Sequence, residues 1–175
     1  MAKITLITGG ARSGKSGYAL TLVDPSLENT FIATAEAIDD EMMQRIARHR
    51  EERGDQFRTI EAPVHLADAI RSLAGSTELI IVDCLTVWMG NMQVRDESGR
   101  LSVQEVEALL DTLKNPPCSV ILVTNEVGMG IVPMNDMARE FRDQAGRLNQ
   151  SVAKIADQVV LMVSGLPVII KSDIK

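Results

Sequence analysis

The chain is poor in several features that would define a class of protein. Its 175 residues include only two cysteines, Cys84 and Cys118, which are too few for a disulfide framework and too far apart in sequence for a zinc site. Aromatic residues make up 3% of the chain, so aliphatic residues and methionine must fill its core. No apolar run reaches the roughly 18 to 20 residues that cross a bilayer, and we therefore expect no membrane span.

Basic residues are also outnumbered, because 18 Lys and Arg residues face 24 Asp and Glu residues and give a formal net charge of −6. Nucleic-acid-binding proteins usually carry a basic stripe, and none is evident here, so we expect no nucleic-acid partner. Met1 leads directly into a strand-like stretch without a signal-peptide pattern, and we expect a cytoplasmic protein. The length suits one domain, residues 1–175.

Apolar runs alternate with helical patterns along the chain. The predicted strands cover residues 4–8, 30–34, 58–61, 79–83, 119–124, 159–163 and 168–171. The predicted helices cover residues 15–23, 39–53, 66–73, 103–113 and 136–156. This alternation predicts an α/β fold with a mostly parallel central sheet and helices on both faces. The short connection through Gly165 and Pro167 predicts a terminal hairpin with an antiparallel edge strand, and the charged, glycine-containing residues 93–101 predict a mobile loop.

The segment after the first strand fits the phosphate-loop pattern G-x-x-x-x-G-K-[ST] at every position. Glycines let backbone N–H groups point inward at phosphate oxygens, and the following helix adds the positive end of its dipole. Lys15 would place a cation on the β- and γ-phosphates, and Ser16 would offer a hydroxyl to Mg²⁺. The pattern predicts a nucleoside triphosphate site, the alternative being a chance match in a glycine-rich turn. The segment consists of Gly9, Gly10, Ala11, Arg12, Ser13, Gly14, Lys15 and Ser16.

Other polar side chains follow strands whose carboxyl ends should share an edge with the phosphate loop. Asp83 ends the apolar strand 79–83, where it could hold the Mg²⁺ shell or cap the following helix. Asn125 and Glu126 follow the strand 119–124, where they could bind substrate or serve ordinary loop chemistry. Glu61 and the segment 34–36 end two further strands and have similar options.

His49 lies on the predicted helix 39–53, with Arg45 and Arg53 four residues to either side on roughly the same face. One interpretation is a solvated, charged helix, and the charge pattern alone favours it. The other is a phosphate-facing surface that carries a nucleophile. Neutral imidazole can attack phosphorus, and the arginines would favour its neutral form and offset charge on the phosphate oxygens. The composition of the helix does not decide between them.

Six stretches taken together resemble a single enzyme family. Their order along the chain covers nearly its whole length, and the fifth and sixth are much more specific than the phosphate loop. The family is the bifunctional adenosylcobinamide kinase / adenosylcobinamide-phosphate guanylyltransferase of cobalamin biosynthesis. The stretches read GGARSGKS at 9–16, TAE at 34–36, RIARHR at 45–50, VDCLTVW at 82–88, NEVGMGIVP at 125–133 and FRDQAGRLNQ at 141–150.

The resemblance implies a RecA-like P-loop fold, Mg²⁺ as cofactor and two activities. The first phosphorylates the aminopropanol hydroxyl of adenosylcobinamide with GTP or ATP. The second transfers GMP from GTP to that phosphate through a guanylylated histidine, which matches His49, and gives adenosylcobinamide-GDP. The partner implied is a small corrinoid, and the oligomer implied is a trimer.

The resemblance also assigns roles to individual residues. His49 and Lys15 would be catalytic, and Ser16 and Asp83 would bind the metal. Beyond the phosphate loop, the residues matched to the nucleotide site are Thr34, Ala35, Glu36, Arg50, Glu51, Glu52, Arg53, Glu61 and Cys84.

Three other hypotheses stay open at this point. A monofunctional P-loop small-molecule kinase would keep the phosphate loop but give His49 no role. A RecA-like ATPase switch or nucleic-acid motor subunit would hydrolyse ATP in response to nucleic acid, which the acidic composition disfavours. A homologue that lost the kinase activity but kept guanylyl transfer would show the same phosphate loop.

Overall fold

The computed structural model describes residues 2–37, 40, 43–44, 47, 51, 54 and 57–173. Its strands are β1 (Ile4–Gly9), β2 (Asn29–Ala33), β3 (Arg58–Glu61), β4 (Leu79–Asp83), β5 (Ser119–Val123), β6 (Gln158–Val163) and β7 (Leu166–Ser172). Its helices are α1 (Lys15–Thr21), α2 (Leu66–Ser72), α3 (Leu85–Arg95), α4 (Arg100–Lys114) and α5 (Asp136–Ile155).

The strands form one seven-stranded sheet in the order β3-β2-β4-β5-β1-β6-β7. All neighbouring pairs are parallel except β6 and β7, which run antiparallel. The mostly parallel sheet and its antiparallel edge strand confirm the fold class predicted from the sequence. β1 lies between β5 and β6, so Ile7 is aligned with Val123 on one side and Val160 on the other.

Helices cover both faces of the sheet because successive strand side chains point to opposite faces. Ile80 and Val82 of β4 belong to the larger apolar cluster, which α2, α3, α4 and α5 complete with side chains such as Trp88. Ile81 faces the other way and joins a smaller cluster with Ala19 of α1. Strands buried on both faces explain the continuous apolar runs in the sequence.

Helix α3 was not predicted, and the loop prediction for residues 93–101 was wrong at both ends. Gln93 to Arg95 are the last turn of α3, and Arg100 and Leu101 begin α4. Between the two helices the Asp96 carboxylate accepts hydrogen bonds from the Ser98 amide at 2.9 Å and the Leu101 amide at 2.8 Å. The Ser98 hydroxyl also donates to this carboxylate. Its bond has the largest effect, and together with the two amide bonds it lowers the pKa of Asp96. The connection is therefore a short, internally bonded turn.

The predicted helix 39–53 falls largely outside the described residues. Of the residues that are described there, Asp40, Met43, Gln44, Ala47 and Glu51 are helical and exposed. Across the described part of the chain, no helix is both long and apolar enough to cross a membrane.

Candidate active site

The phosphate-loop segment connects the end of β1 to the start of α1, as the sequence predicts. Gly9 closes β1 in a conformation that brings its α-carbon against β6. A Cβ at this position would lie 2.5 Å from the carbonyl oxygen of Met162. Gly14 precedes α1 with φ of 94°, which is a left-handed conformation that glycine adopts without strain. Both glycines are therefore required by the geometry of the loop.

Lys15 is buried inside the curve of this loop. Its ammonium group donates hydrogen bonds to the carbonyl oxygens of Gly9 at 3.1 Å and Gly10 at 2.6 Å. The Ser13 hydroxyl lies 3.5 Å from the same nitrogen. A buried ammonium needs such partners, because removing it from water without them is costly. The loop thus holds a cation at the position where the sequence predicts phosphate.

The hairpin between β6 and β7 supports the phosphate loop from the outside. The amide of Gly165 donates a 3.0 Å hydrogen bond to the carbonyl oxygen of Ser13. Gly14 approaches the same turn, so a Cβ on Gly14 would lie 3.3 Å from the α-carbon of Gly165. The sequence gives no local signal for this contact, because the partners are about 150 positions apart.

Thr34 joins the carboxyl ends of β2 and β4. Its buried hydroxyl donates to the carbonyl oxygen of Cys84 at 2.9 Å and accepts from the amide of Cys84 at 2.8 Å. The Asp83–Cys84 peptide bond is cis. Thr34 therefore fixes the backbone beside Asp83. Both hydrogen bonds of its hydroxyl group are made to the backbone of Cys84.

The Cys84 thiol is buried in the smaller apolar cluster beside α1. Burial, and to a lesser extent the neighbouring Asp83 carboxylate, raise its pKa to about 11, while Lys15 acts in the opposite direction. A neutral, buried thiol is a packing group, and we expect the backbone of Cys84 to contribute more to the site than its sulfur. The mutual influence of Asp83, Cys84 and Lys15 places all three at one edge of the sheet.

Ser16 and Asp83 are both partly buried at this edge, on α1 and at the end of β4. Among the described residues no group of three or more His, Cys, Asp or Glu side chains could hold a metal ion. A cation here would therefore take one carboxylate, one hydroxyl and phosphate oxygens from the nucleotide. All of these are hard oxygen donors, and this combination is the usual way in which proteins bind Mg²⁺. The residues present fit that ion.

Helix α3 restrains the chain where it leaves β2. The Asn91 side chain donates to the carbonyl oxygens of Thr34 at 2.7 Å and Pro63 at 3.0 Å. One turn later, the Arg95 guanidinium lies 2.6 Å from both carboxylate oxygens of Glu36. These contacts place Glu36 beside α3, and in the sequence Glu36 lies three residues before the predicted helix 39–53.

Only some of the remaining residues that the sequence predicts to contact the nucleotide lie among the described residues. Ala35 is partly buried after β2, and Glu61 is exposed at the end of β3, aligned with Ala33 of β2. Ala11 and Arg12 are exposed in the phosphate loop, where Arg12 has φ of 56°. Glu51 is helical and exposed. The predicted residues that lie outside the described residues are His49, Arg50, Glu52 and Arg53.

The carboxyl end of β5 meets the phosphate loop directly. The amide of Glu126 donates a 2.9 Å hydrogen bond to the carbonyl oxygen of Gly9. The amide of the preceding residue, Asn125, donates to the hydroxyl of Thr86 in the first turn of α3 at 2.7 Å. Asn125 and Glu126 thus emerge at the phosphate edge, as the sequence predicts.

A polar network that the sequence did not single out holds these two residues. The Thr124 hydroxyl donates to the Asn149 side-chain oxygen at 2.9 Å, and the Asn149 amide group reaches the Asn125 carbonyl oxygen at 3.3 Å. Thr124 also contacts the Thr86 hydroxyl at 3.1 Å. Thr124 is buried, and helices α3 and α5 meet the end of β5 through hydroxyl and amide groups. Thr86 and Asn149 lie in two of the sequence stretches quoted above, and this was the one indication in the sequence that they belong to the site.

Four parallel strands therefore bring the phosphate loop, Thr34, Asp83 and Asn125 to one edge of the sheet. This combination of fold and loop defines a P-loop nucleotide-binding protein. Solved structures agree on the fold. A KaiC-like protein of Pyrococcus horikoshii OT3 aligns with a TM-score of 0.52 and 14% identity, over 91% of this chain and 70% of that one. The RadB recombinase aligns with a TM-score of 0.52 and 16% identity, over 91% of this chain and 73% of that one.

Sequence comparison is more specific. The chain belongs to the cobinamide kinase / cobinamide phosphate guanyltransferase family, whose model matches residues 5–170. It is 45% identical to the bifunctional adenosylcobalamin biosynthesis protein CobP of Pseudomonas aeruginosa over 169 residues, covering 96% of this chain and 97% of that protein. It is 41% identical to the bifunctional adenosylcobalamin biosynthesis protein CobU of Escherichia coli K12 over 178 residues, covering 95% and 98%. The resemblance seen in the sequence is confirmed.

Proposed function

We propose that the protein phosphorylates adenosylcobinamide with a nucleoside triphosphate and then transfers GMP from GTP to the product, giving adenosylcobinamide-GDP. The observation that carries this proposal is the complete phosphate loop with its buried Lys15, in a chain that matches the bifunctional family over residues 5–170. The cytoplasm is the compartment that we propose, since both nucleotides are available there.

In the kinase step the loop amides would bind the triphosphate. Lys15 would move its ammonium group from the carbonyl oxygens of Gly9 and Gly10 onto the phosphate oxygens. The hydroxyl oxygen of adenosylcobinamide attacks the γ-phosphorus, the bond to the β-phosphate oxygen breaks, and the hydroxyl proton passes to solvent. Ser16 and Asp83 would hold Mg²⁺, which when bound offsets charge on the phosphate oxygens. The residues contribute mainly positioning and charge stabilisation.

In the guanylyl transfer, His49 is the nucleophile that we propose. A nitrogen of its imidazole attacks the α-phosphorus of GTP, and pyrophosphate leaves. A phosphate oxygen of adenosylcobinamide phosphate then attacks the same phosphorus, the nitrogen–phosphorus bond breaks, and the histidine is released. Covalent catalysis divides one transfer into two displacements, so GTP and the corrinoid phosphate need not be bound in the active site at the same time. Arg50 and Arg53 would offset charge on the phosphate oxygens.

The test uses GTP labelled at the α-phosphate, with wild type, His49→Asn and His65→Asn. His65 is the matched control, because it is the other histidine of the chain and its exposed ring pairs with Glu105 at 2.8 Å. We expect an acid-labile labelled band in wild type and His65→Asn and no band in His49→Asn. No band in any of the three would exclude the covalent mechanism, and an unchanged band in His49→Asn would exclude His49 as the nucleophile.

A second assay separates the kinase from the transferase. Adenosylcobinamide is incubated with ATP or GTP labelled at the γ-phosphate, and labelled adenosylcobinamide phosphate is measured for wild type, Lys15→Met and Lys114→Met. We expect product from wild type and Lys114→Met, and a loss of about 10²- to 10³-fold in Lys15→Met. Self-labelling by GTP without any corrinoid phosphorylation would identify a transferase that has lost its kinase activity.

We also propose that the protein is a homo-oligomer, with a trimer as the expected state. Strand β7 ends the sheet, and its apolar side chains are exposed rather than covered by a helix. Apolar groups collected on one edge strand usually mark a contact with another chain. Light scattering at several concentrations measures the mass directly, and a monomer at all of them would contradict the proposal. The exposed apolar side chains of β7 are Leu166, Val168, Ile169 and Ile170.

A further inference from the structure

The segment of residues 127–137, which we call the apolar loop although its last two residues begin α5, has an unusual surface. Its residues 127–135 carry no charged side chain in a protein that is 24% charged. Large apolar side chains stand out of it into solvent. Ile131 is 97% exposed and Met134 is 98% exposed. The others are Met129, Val132 and Met137. Isolated exposed apolar residues are ordinary, but five within nine positions form a surface that favours a bound partner.

The apolar loop is held in place at both ends. At its start, the Glu126 carboxylate accepts a hydrogen bond from the Gly128 amide at 2.7 Å. At its end, the Arg139 guanidinium donates to the carbonyl oxygens of Pro133 at 2.9 Å and Met134 at 2.6 Å. The Asn135 side chain caps α5 by accepting from the Ala138 amide at 2.7 Å. Hydrogen bonds at both ends therefore hold the backbone that carries the exposed apolar side chains.

The location of the apolar loop points to its occupant. It follows directly after Glu126, whose amide is bonded to the carbonyl oxygen of Gly9, the first residue of the phosphate loop. A molecule that lies on the start of the apolar loop therefore also lies beside the phosphate loop, where the triphosphate would bind. The molecule that must touch the triphosphate in the kinase step is the phosphoryl acceptor, whereas a second protein chain at this position would compete with it for space.

The chemistry of the acceptor matches this surface. A corrinoid is a broad macrocycle whose rim carries methyl groups and neutral amide side chains. Methyl groups would pack on apolar side chains such as Ile131, and amides would bond to the backbone at Gly128 and Gly130, which are exposed. Resting on the function proposed above, we propose that the apolar loop binds the corrinoid ring of adenosylcobinamide and of its phosphate, and orients the aminopropanol end toward the phosphate loop.

The experiment compares Val132→Ser and the double variant Ile131→Ser/Met134→Ser with wild type. Val103→Ser is the matched control, because Val103 is 58% exposed on α4 and Val132 is 59% exposed. Adenosylcobinamide phosphorylation gives KM for the corrinoid and for the nucleotide, and self-labelling by GTP reports the nucleotide site without any corrinoid. We expect KM for adenosylcobinamide to rise about tenfold or more in the double variant. KM for the nucleotide, self-labelling and the Val103→Ser control should stay unchanged.

Several outcomes would overturn this proposal. One is a double variant whose KM for adenosylcobinamide equals that of an active wild type. Another is an equal rise in Val103→Ser. A change in molecular mass of the double variant with an unchanged corrinoid KM would assign the apolar loop to a second copy of the chain. A wild type that self-labels with GTP but never phosphorylates or binds adenosylcobinamide would overturn the proposed function itself.

Discussion

The amide of Gly165 is bonded to the carbonyl oxygen of Ser13, so a turn between the last two strands braces the phosphate loop near the start of the chain. Ser164 and Gly165 both have positive φ, at 51° and 84°, which folds the hairpin tightly against the loop. The geometry that would grip phosphate is thus shared between two distant parts of the sequence.

Gly9→Ala tests the closeness of this packing. An added Cβ would lie 2.5 Å from the Met162 carbonyl oxygen, at a residue whose φ is 149°. We expect a loss of about 1 to 3 kcal/mol in the free energy of unfolding and at least tenfold weaker nucleotide binding. Urea unfolding and calorimetric titration measure the two effects. Gly17→Ala is the control, because nothing lies within 4 Å of its Cβ position in α1, and it should stabilise by up to about 1 kcal/mol.

Asn149→Ala removes a link between α5 and the end of β5. The variant leaves the Asn125 carbonyl oxygen without the Asn149 donor and removes one partner of the buried Thr124 hydroxyl. We expect a loss of about 1 to 3 kcal/mol in stability and a lower kcat with little change in KM for the nucleotide. Thermal unfolding and steady-state kinetics provide the measurements. The exposed neighbour Gln150→Ala should behave as wild type, and equal effects in both variants would contradict the role of the network.

Lys171 caps the carboxyl end of α5. Its ammonium group donates to the carbonyl oxygens of Ala153 at 3.3 Å, Lys154 at 3.2 Å and Ala156 at 2.6 Å. Lys171→Met keeps the aliphatic stem but removes these bonds and the cation at the negative end of the helix dipole. We expect unfolding to become easier by about 1 to 2 kcal/mol in urea.

The control for Lys171 is Lys114→Met at the end of α4. Lys114 pairs with Asp111 at 3.4 Å on the surface, where such a pair contributes less than about 1 kcal/mol. If Lys171→Met is no more destabilising than Lys114→Met, the three carbonyl contacts do not stabilise the helix end.

Cys84 makes stability depend on pH in the alkaline range. Burial raises the pKa of its thiol from 9.0 to about 11 in the folded protein. The unfolded chain therefore releases this proton first, so the stabilisation is complete below about pH 9 and is lost as the pH rises toward 11. The loss amounts to roughly 2 to 3 kcal/mol. Urea unfolding between pH 8 and 11 should give a shallower decline for Cys84→Ala, and identical slopes would refute the prediction.

The sequence predicted the elements whose apolar pattern is local. Strand β4 matches its predicted bounds because its apolar run ends at Asp83. Helix α3 escaped prediction for a physical reason. It is buried over much of its surface around Trp88, and Gly90 lies in its middle, so the contrast between an apolar and a polar face is weak.

The chemistry of the site was predictable where one segment carries it and unpredictable where distant segments meet. The pattern ending in Lys15 and Ser16 specifies its own geometry. The bond between Glu36 and Arg95 joins residues 59 positions apart and depends on where α3 lies. The brace at Gly165 likewise depends on the strand order, which propensities of single residues do not encode.

The strand order also has a consequence for protein synthesis. A ribosome delivers the phosphate-loop residues with β1, and it delivers the neighbouring strand β6 and the turn at Gly165 about 150 residues later. A nascent chain that does not yet include Gly165 therefore carries the nucleotide-binding motif without this brace. We expect such a chain to bind GTP and ATP more weakly, so these nucleotides would stabilise it less than they stabilise the folded protein.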